Sequence, residues 1–199
     1  MRFILASTSK YRKNLLTRAG FDFEAVSPLA NEEDLKKAGP KDPEELTRFL
    51  ALKKAESLQE KHSNDWVVGC DQAAVAGGRF LSKPGDAAGC AKQLKRLQGR
   101  WHKLVTSMAF VKLGEIPTVM TDVTKIRLRP LTDEEIQHYI KKDKPFDCAG
   151  SYKIEQSGIC LVETLKTKDP TAIEGISLVA LTSFFTRQGI SLAEIVKIP

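Results

Sequence analysis

Residues 66–81 read WVVGCDQAAVAGGRFL, and they predict a buried strand followed by a β-hairpin. The apolar run 66–70 predicts a buried strand, which ends on the acidic residue Asp71. Beyond it, Gly77 and Gly78 separate two short segments, a pattern typical of a β-hairpin. A buried strand that continues into a hairpin favours a mixed sheet over a purely parallel one.

Outward from this stretch, strand and helix patterns alternate along the chain. Apolar segments predict strands over 2–6, 21–25, 101–113, 119–128, 151–154 and 159–165. Helical spacing predicts helices over 10–19, 43–62, 86–97, 132–142 and 175–187, and the polar segment 31–42 is expected to be a loop. The alternation predicts an α/β fold, a mixed sheet with flanking helices.

The composition excludes several classes of protein. The chain has 199 residues, and at this length it can bury a core without disulfides or a structural metal. Its four cysteines form no C-x-x-C pair and its three histidines lie far apart, so local spacing excludes a zinc ribbon or finger. No apolar stretch approaches a membrane span. We therefore expect a cytoplasmic protein with reduced thiols and no membrane partner.

The first candidate site is the predicted turn between the first strand and the first helix. Ser7 and Ser9 lie at the start of that helix, and Arg12 follows about one turn later. A helix N-terminus attracts phosphate, and an arginine binds phosphate oxygens as a bidentate donor. Taken alone, an ordinary helix cap with solvated basic residues is the more frequent interpretation.

The second candidate is Asp71, at the end of the buried strand. A carboxylate there can hold a divalent cation or accept a proton from water, although a turn aspartate is common. Lys83 follows the hairpin, so the hairpin can bring its ammonium back toward Asp71. Glu32 or Glu33 and Lys54 are further candidates that the sequence alone does not separate from solvated charges.

Two other residues favour structural roles. His102 precedes a strand, and a hydrogen-bonded structural histidine is more frequent there than a catalytic one. Cys70 lies in the buried strand beside Asp71, where burial and a neighbouring negative charge disfavour a reactive thiolate.

Together these segments resemble the Maf-like nucleoside triphosphate pyrophosphatases over nearly the whole chain. The matching motifs, in chain order, are Ile4-Leu-Ala-Ser-Thr-Ser-Lys-Tyr-Arg12, Lys54-Ala55, Gly69-Cys-Asp-Gln72, Lys83-Pro84, Gly99-Arg-Trp-His102 with Val105-Thr106, Ala149-Gly-Ser-Tyr152 and Asp169-Pro170. One departure is Asn31, which stands before Glu32 where the family has aspartate. The resemblance implies a single domain over residues 1–199, with two closely packed lobes around a central cleft as in the ITPase-like fold.

The resemblance also implies an activity: hydrolysis of a nucleoside triphosphate to the monophosphate and pyrophosphate. The resemblance implies that Asp71 is the proton acceptor. It also implies that Glu32 and Asp71 bind a divalent cation, Mg²⁺ or Mn²⁺. Ser7, Ser9, Arg12, Lys54 and Lys83 are the implied substrate-binding residues. Positive groups are needed because the triphosphate repels an approaching water or hydroxide. A homodimer is the implied oligomeric state.

Three positions separate the family's dTTP/UTP group from its 7-methyl-GTP group, and here they are Tyr11, Gln72 and Glu155. Tyr11 and Glu155 resemble the 7-methyl-GTP group. Methylation at N7 makes guanine cationic, so an aromatic face and a carboxylate attract it more than a neutral base. The resemblance therefore favours 7-methyl-GTP, with dTTP or UTP as the alternative.

Two further hypotheses belong to other functional classes. The net charge of +6 permits a nucleic-acid-binding module. Acidic residues interleave with the basic ones, however, so we expect no nucleic-acid partner. A division-related interaction protein, a role also linked to the family, is the other hypothesis, and the sequence offers no recognisable partner motif for it.

Overall fold

A seven-stranded mixed sheet organises the chain, as predicted. The computed structural model describes residues 1–197. The strands are β1 (Phe3–Ala6), β2 (Phe23–Val26), β3 (Val67–Ala76), β4 (Arg79–Leu81), β5 (Trp101–Val111), β6 (Thr118–Leu128) and β7 (Val162–Lys166). Their order is β2-β1-β3-β5-β6-β7, and β4 pairs with β3.

Seven α-helices accompany the strands within the described residues. They are α1 (Lys10–Arg18), α2 (Glu32–Ala38), α3 (Pro43–Glu56), α4 (Ala87–Leu97), α5 (Asp133–Asp143), α6 (Leu178–Arg187) and α7 (Leu192–Ile195). Two short 3-10 helices span Ser157–Leu161 and Pro170–Glu174. No helix in the described part of the chain is long and apolar enough to cross a membrane.

Strand pairing confirms the mixed sheet. Strand β1 runs parallel to both β2 and β3, with Leu5 opposite Ala25 on one side and Val68 on the other. The predicted hairpin forms, because β3 pairs antiparallel with β4 across the turn at Gly77 and Gly78. Strand β7 is antiparallel to β6.

The chain divides into two compact units. The first comprises residues 1–72, 106–122 and 169–197, and the second comprises 73–105 and 123–168. The predicted arrangement of two lobes around a cleft, and the predicted single domain over 1–199, stay predictions.

An aromatic cluster forms the core of the first unit. Phe3, Phe110, Phe184 and Phe185 are almost fully buried, and the rings of Phe110 and Phe184 stack with centroids 3.9 Å apart. Burying one such side chain stabilises the fold by roughly 1.5–3 kcal/mol. This cluster anchors α6 against β1 and β5.

The predicted loop over 31–42 is wrong, because α2 occupies most of it. The side chain of Asn31 caps this helix by accepting hydrogen bonds from the backbone N–H groups of Glu33 (3.1 Å) and Asp34 (3.4 Å). Acidic residues fill its first turn and lysines its last, an order that suits the helix dipole. The helix buries no residue, so it carries no apolar periodicity in the sequence.

The predicted strand over 151–154 is also wrong. Gly150 and Ser151 both adopt left-handed backbone conformations (φ 89° and 63°), which a strand does not accommodate. Side chains satisfy the donors of this segment instead: Gln93 accepts from Gly150 N–H and Ser151 Oγ, and Tyr139 accepts from Lys153 N–H. Only β7, part of the second predicted strand, forms.

Candidate active site

Lys54, Asp71 and Glu32 form a charged cluster in the first unit. The Lys54 ammonium lies 2.7 Å from Asp71 Oδ1 and 2.8 Å from Glu32 Oε2. Lys54 and Asp71 are buried, with 8% and 7% of their surfaces exposed, whereas Glu32 lies at the rim and also pairs with Lys36. Two carboxylates therefore converge on one cation position.

Gly69 explains why α3 brings Lys54 so close to Asp71. A Cβ atom at Gly69 would lie 2.1 Å from the Ala51 carbonyl oxygen and 2.8 Å from the Ala55 nitrogen, both in α3. Only glycine permits this approach of the helix backbone to β3. Lys54 precedes Ala55, so the same contact places its side chain against Asp71. The predicted end of the strand at Asp71 is wrong, because β3 continues to Ala76.

The two carboxyl groups of the cluster titrate differently. Burial raises the pKa of Asp71, because the loss of hydration outweighs the attraction of Lys54 and Arg12. Burial alone would raise the pKa of Glu32 too, but the positive charges and hydrogen bonds of Lys54 and Lys36 outweigh burial. The pKa of Glu32 is therefore lowered to about 2. Glu32 is thus firmly ionised, and Asp71 has more affinity for a proton than an exposed aspartate.

The first predicted site is both a helix cap and an arginine anchor. Ser9 caps α1, in agreement with the predicted helix cap, because its hydroxyl accepts a hydrogen bond from the Arg12 backbone N–H (3.5 Å). The Arg12 guanidinium donates to Ser7 Oγ (3.1 Å) and to the Gly175 carbonyl oxygen (2.8 Å). Arg12 lies close enough to Asp71 for its charge to lower the pKa of that carboxyl.

Gln72 follows Asp71 in β3 and is bound within the first unit. Its side-chain nitrogen donates to Thr106 Oγ1 (2.9 Å) and to the carbonyl oxygens of Ala172 (2.9 Å) and Ile173 (3.1 Å). Tyr11, another predicted specificity residue, is half-buried in α1, and the Lys10 ammonium lies 5.0 Å from the centre of its ring.

Lys83 and Glu155 belong to the second unit, where both are exposed. The structure thus brings together Ser7, Ser9 and Arg12 at one point and Glu32, Lys54 and Asp71 at another, with Arg12 within electrostatic reach of Asp71. The catalytic, binding and specificity roles of all these residues stay predictions.

Residues 1–197 contain no group of three or more His, Cys, Asp and Glu side chains arranged to hold a metal ion. The pair Glu32 and Asp71 nevertheless suits Mg²⁺ or Mn²⁺, because these cations prefer oxygen ligands. Magnesium is commonly held by one or two carboxylates together with substrate phosphates. Both carboxylates contact one ammonium, so they lie close enough together to bind one cation.

His102 and Cys70 occupy structural environments, as the sequence favours. His102 Nε2 lies 2.9 Å from the Tyr152 hydroxyl in the second unit, and burial lowers the pKa of His102 to about 4. Burial raises the pKa of the Cys70 thiol to about 11. The thiol is therefore protonated near neutral pH.

Apart from Ser7, the sequence predicted no role for the groups that hold Arg12 and Gln72. Thr106 lies in a recognised motif, but Gly175 and the carbonyl oxygens of Ala172 and Ile173 are about 100 residues or more from the side chains they bind. Backbone acceptors carry no residue-type signal, so only the motif positions could have drawn attention to this region.

The comparisons with known proteins agree with this architecture. The sequence pattern of the family described as "Maf-like protein" matches residues 2–188. A protein of Thiobacillus denitrificans named 7-methyl-GTP pyrophosphatase is 38% identical, covering 95% of this chain and 93% of its own. One of the same name from Bdellovibrio bacteriovorus is 39% identical, covering 90% and 93%.

Among solved structures, a HAM1 protein from Coxiella burnetii is 12% identical with a TM-score of 0.51, covering 94% of this chain and 99% of its own. That likeness concerns the fold alone, and it agrees with the mixed sheet flanked by helices. The family match and the sequence relatives each extend over nearly the whole chain. The chain therefore belongs to the Maf-like protein family.

Proposed function

We propose that the protein is a nucleoside triphosphate pyrophosphatase that cleaves the bond between the α- and β-phosphates, with 7-methyl-GTP as its preferred substrate. Relatives that share 35–39% of their residues with this chain are named 7-methyl-GTP pyrophosphatase. The observation that carries the proposal is the buried contact of Lys54 with Asp71, completed by Glu32 and Arg12.

This cluster suits phosphoryl chemistry. A nucleoside triphosphate carries several negative charges, which repel water or hydroxide from the α-phosphorus until positive groups screen them. Arg12 keeps further N–H donors after its bonds to Ser7 and Gly175, so its guanidinium can bind phosphate oxygens. Lys54 supplies a second positive group, and we propose Lys83 as a third.

Asp71 is the proposed proton acceptor. Its oxygen takes a proton from water, the water oxygen bonds to the α-phosphorus, and the bond to the bridging oxygen breaks to release pyrophosphate. The raised pKa of Asp71 suits this role, because a more basic carboxylate accepts a proton more readily. Lys54 holds the carboxylate in place through a hydrogen bond of 2.7 Å.

A divalent cation is the proposed cofactor, with Glu32 and Asp71 as its protein ligands. When bound, it supplies Lewis acidity and lowers the pKa of a bound water. The low pKa of Glu32, about 2, keeps that carboxylate ionised and ready to bind a cation over the whole neutral range.

For base selection we propose Tyr11 and Glu155, and the family resemblance suggests Gln72 as the third position. An aromatic ring and a carboxylate attract the cationic base of 7-methyl-GTP, and Glu155 can accept hydrogen bonds from the guanine N1–H and N2–H groups. The second candidate substrate class is dTTP and UTP, within the same reaction.

A nucleotide panel tests the proposal. The purified protein is incubated with 7-methyl-GTP, GTP, dTTP and UTP, each with Mg²⁺ or Mn²⁺, and pyrophosphate is measured separately from single phosphate. We expect pyrophosphate as the product and 7-methyl-GTP as the best substrate. A preference for dTTP or UTP would overturn the specificity, and release of single phosphate alone would overturn the reaction. Binding to long nucleic acids, measured beside it, is expected to be absent.

We also propose three properties of the whole protein: the family resemblance supports a single domain over residues 1–199 and a homodimer, and the composition supports a cytoplasmic location. Light scattering coupled to size-exclusion chromatography measures the oligomeric state. The expected mass is twice the 22.1 kDa of one chain.

A further inference from the structure

The side chain of Gln72 is fully committed to hydrogen bonds at its nitrogen end. An amide NH₂ group has two protons, and here three acceptors surround it: Thr106 Oγ1 and the carbonyl oxygens of Ala172 and Ile173. Carbonyl oxygens only accept, so the amide must point its nitrogen toward them. Gln72 therefore fastens β3, at the residue next to Asp71, to the 3-10 helix Pro170–Glu174.

Thr106 fastens the same helix from β5. Its hydroxyl accepts from Gln72 and donates to the Ala172 carbonyl oxygen at 2.9 Å. Thr106 is only 2% exposed, so water does not readily replace these bonds. Two side chains from neighbouring strands thus bind consecutive carbonyl groups of one short helix.

Asp169 stiffens the start of this segment. Its carboxylate accepts from the Thr171 N–H (2.8 Å) and hydroxyl (2.7 Å), from Ser177 Oγ (2.6 Å) and from Val179 N–H (3.0 Å). Asp169 is 2% exposed. A carboxylate with this many donors joins the 3-10 helix rigidly to the first turn of α6.

The segment ends on Gly175, whose carbonyl oxygen holds Arg12. Arg12 Nε donates to it at 2.8 Å, and a Cβ atom at Gly175 would lie 3.2 Å from the same nitrogen. Gly175 has a φ of 95°, which also favours glycine. A displacement of residues 170–175 would therefore displace the Arg12 guanidinium, which lies within electrostatic reach of Asp71.

We propose that Gln72 and Thr106 are positioning residues: they fix the segment 170–175, and through Gly175 that segment holds the Arg12 guanidinium in place for phosphate binding. This inference rests on the proposed function and deepens it. It gives Gln72 a role common to all nucleotides, in place of the base-selecting role suggested by the family resemblance. Neither residue touches the reacting atoms in this scheme.

Kinetics with matched variants test the role. Gln72→Met keeps the length of the side chain but removes its amide, and Thr106→Val keeps shape but removes the hydroxyl, which Thr106→Ser restores. The control is Gln59→Met, because Gln59 also donates to a backbone carbonyl of the first unit, that of Lys112. We expect Gln72→Met and Thr106→Val to lower kcat by about tenfold or more, since small displacements of catalytic groups have large effects.

The pattern across nucleotides decides between positioning and base selection. Positioning predicts that kcat falls by the same factor for 7-methyl-GTP, GTP and UTP, whereas Thr106→Ser and Gln59→Met stay within about twofold of the parent protein. A loss confined to 7-methyl-GTP in Gln72→Met would assign base selection to Gln72 and overturn the proposal. Parent-like kcat in both Gln72→Met and Thr106→Val would overturn it as well.

Hydrogen exchange without nucleotide gives an answer that does not depend on activity. We expect faster amide exchange in peptides covering 168–178 and 10–18 in Gln72→Met and Thr106→Val, but not in Thr106→Ser or Gln59→Met. Unchanged exchange in those peptides would contradict the positioning role even if activity falls. If the parent protein hydrolyses no nucleotide, the proposed function fails, while the exchange data still decide whether these residues hold the segment.

Discussion

Asp71 combines burial with a lysine contact, and its proposed role depends on the charge of its carboxylate. Asp71→Asn removes the proton acceptor but keeps the size of the side chain and an oxygen that can accept from Lys54. We expect kcat to fall by about 10²–10⁴-fold, the usual contribution of a general base. Circular dichroism and thermal unfolding check that the variant is folded.

The control for this variant is Asp34→Asn, the same change at an aspartate whose side chain is 70% exposed on α2. It is expected to keep parent activity. Full activity in Asp71→Asn would remove Asp71 from the mechanism, whatever the control shows.

Lys54 lies between Glu32 and Asp71, the two proposed ligands of a divalent cation, and its ammonium competes with the cation for their negative charge. Lys54→Met removes the ammonium and leaves two carboxylates without it, so the affinity of the nucleotide-free protein for Mn²⁺ should rise by about tenfold or more. Pyrophosphatase activity should fall, because the phosphates lose a positive partner. Electron paramagnetic resonance measures free Mn²⁺ directly.

Lys53→Met is the matched control, because Lys53 pairs with Glu56 at the surface of the same helix. It is expected to leave Mn²⁺ binding unchanged. Equal or weaker Mn²⁺ binding in Lys54→Met would show that the cation does not bind between these two carboxylates.

At the level of single residues, the sequence located the side chains of the charged cluster and of the Arg12 anchor, but not all of the groups that hold them in place. Ser7, Arg12, Lys54 and Asp71 stand out because charged and hydroxyl groups follow strands or lie in recognised motifs. Gly175 holds Arg12 and Thr106 holds Gln72 through long-range contacts, and no local pattern encodes such contacts. Composition and spacing do not separate Glu32 from Glu33; the family resemblance favours Glu32, and α2 places Glu32 against Lys54.

At the level of elements, the close approach of α3 to β3 depends on Gly69. Gly69→Ala would place a methyl group against the backbone of Ala51 and Ala55, so α3 must shift and the Lys54–Asp71 contact must loosen. Such overpacking costs about 1–3 kcal/mol of unfolding free energy, occasionally more. Urea denaturation measures this loss, and activity should fall with it.

Gly77→Ala is the control, because it introduces backbone strain without a steric overlap. An added methyl at Gly77 meets no atom within 4 Å, although its φ of 57° disfavours alanine. We expect a loss of about 1–2 kcal/mol from the left-handed conformation and no change in activity. A fully active and stable Gly69→Ala protein would contradict the packing account.

The helices and strands that the sequence missed share a physical reason. Helix α2 is stabilised by its Asn31 cap and its charges rather than by burial, so a search for apolar faces overlooks it. The segment 151–154 has strand-like composition, but side chains of α4 and α5 bind its backbone in a different conformation. Local composition indicates which residues are buried, but it does not indicate which groups form hydrogen bonds with the backbone.

At the level of the whole molecule, the sequence predicts where the strands lie along the chain but not which strands pair in the sheet. Alternation and turn residues located the seven strands approximately, including the hairpin at Gly77 and Gly78. The order β2-β1-β3-β5-β6-β7 depends on contacts between segments far apart in sequence, which periodicity does not encode.

The buried His102 makes stability depend on pH. Its folded-state pKa of about 4 lies below the ordinary value of 6.5, so below pH 6.5 the unfolded chain binds the proton more readily. Unfolding free energy should therefore be fully retained above pH 6.5 and fall by about 3 kcal/mol as the pH decreases toward 4. His102→Gln should lose this part of the pH dependence in urea denaturation.

His138→Gln is the control, because His138 is exposed on α5. Its pH profile of stability should match that of the parent protein. A His102→Gln profile as steep as the parent between pH 6.5 and 4 would assign the acid sensitivity to other groups.

In the proposed reaction, water activated beside Asp71 attacks the α-phosphorus. The most direct measurement is turnover of 7-methyl-GTP in water labelled with heavy oxygen, followed by mass spectrometry of both products. The account predicts that the label enters 7-methyl-GMP and not pyrophosphate. Label in pyrophosphate would place the attack on the β-phosphorus and contradict the account.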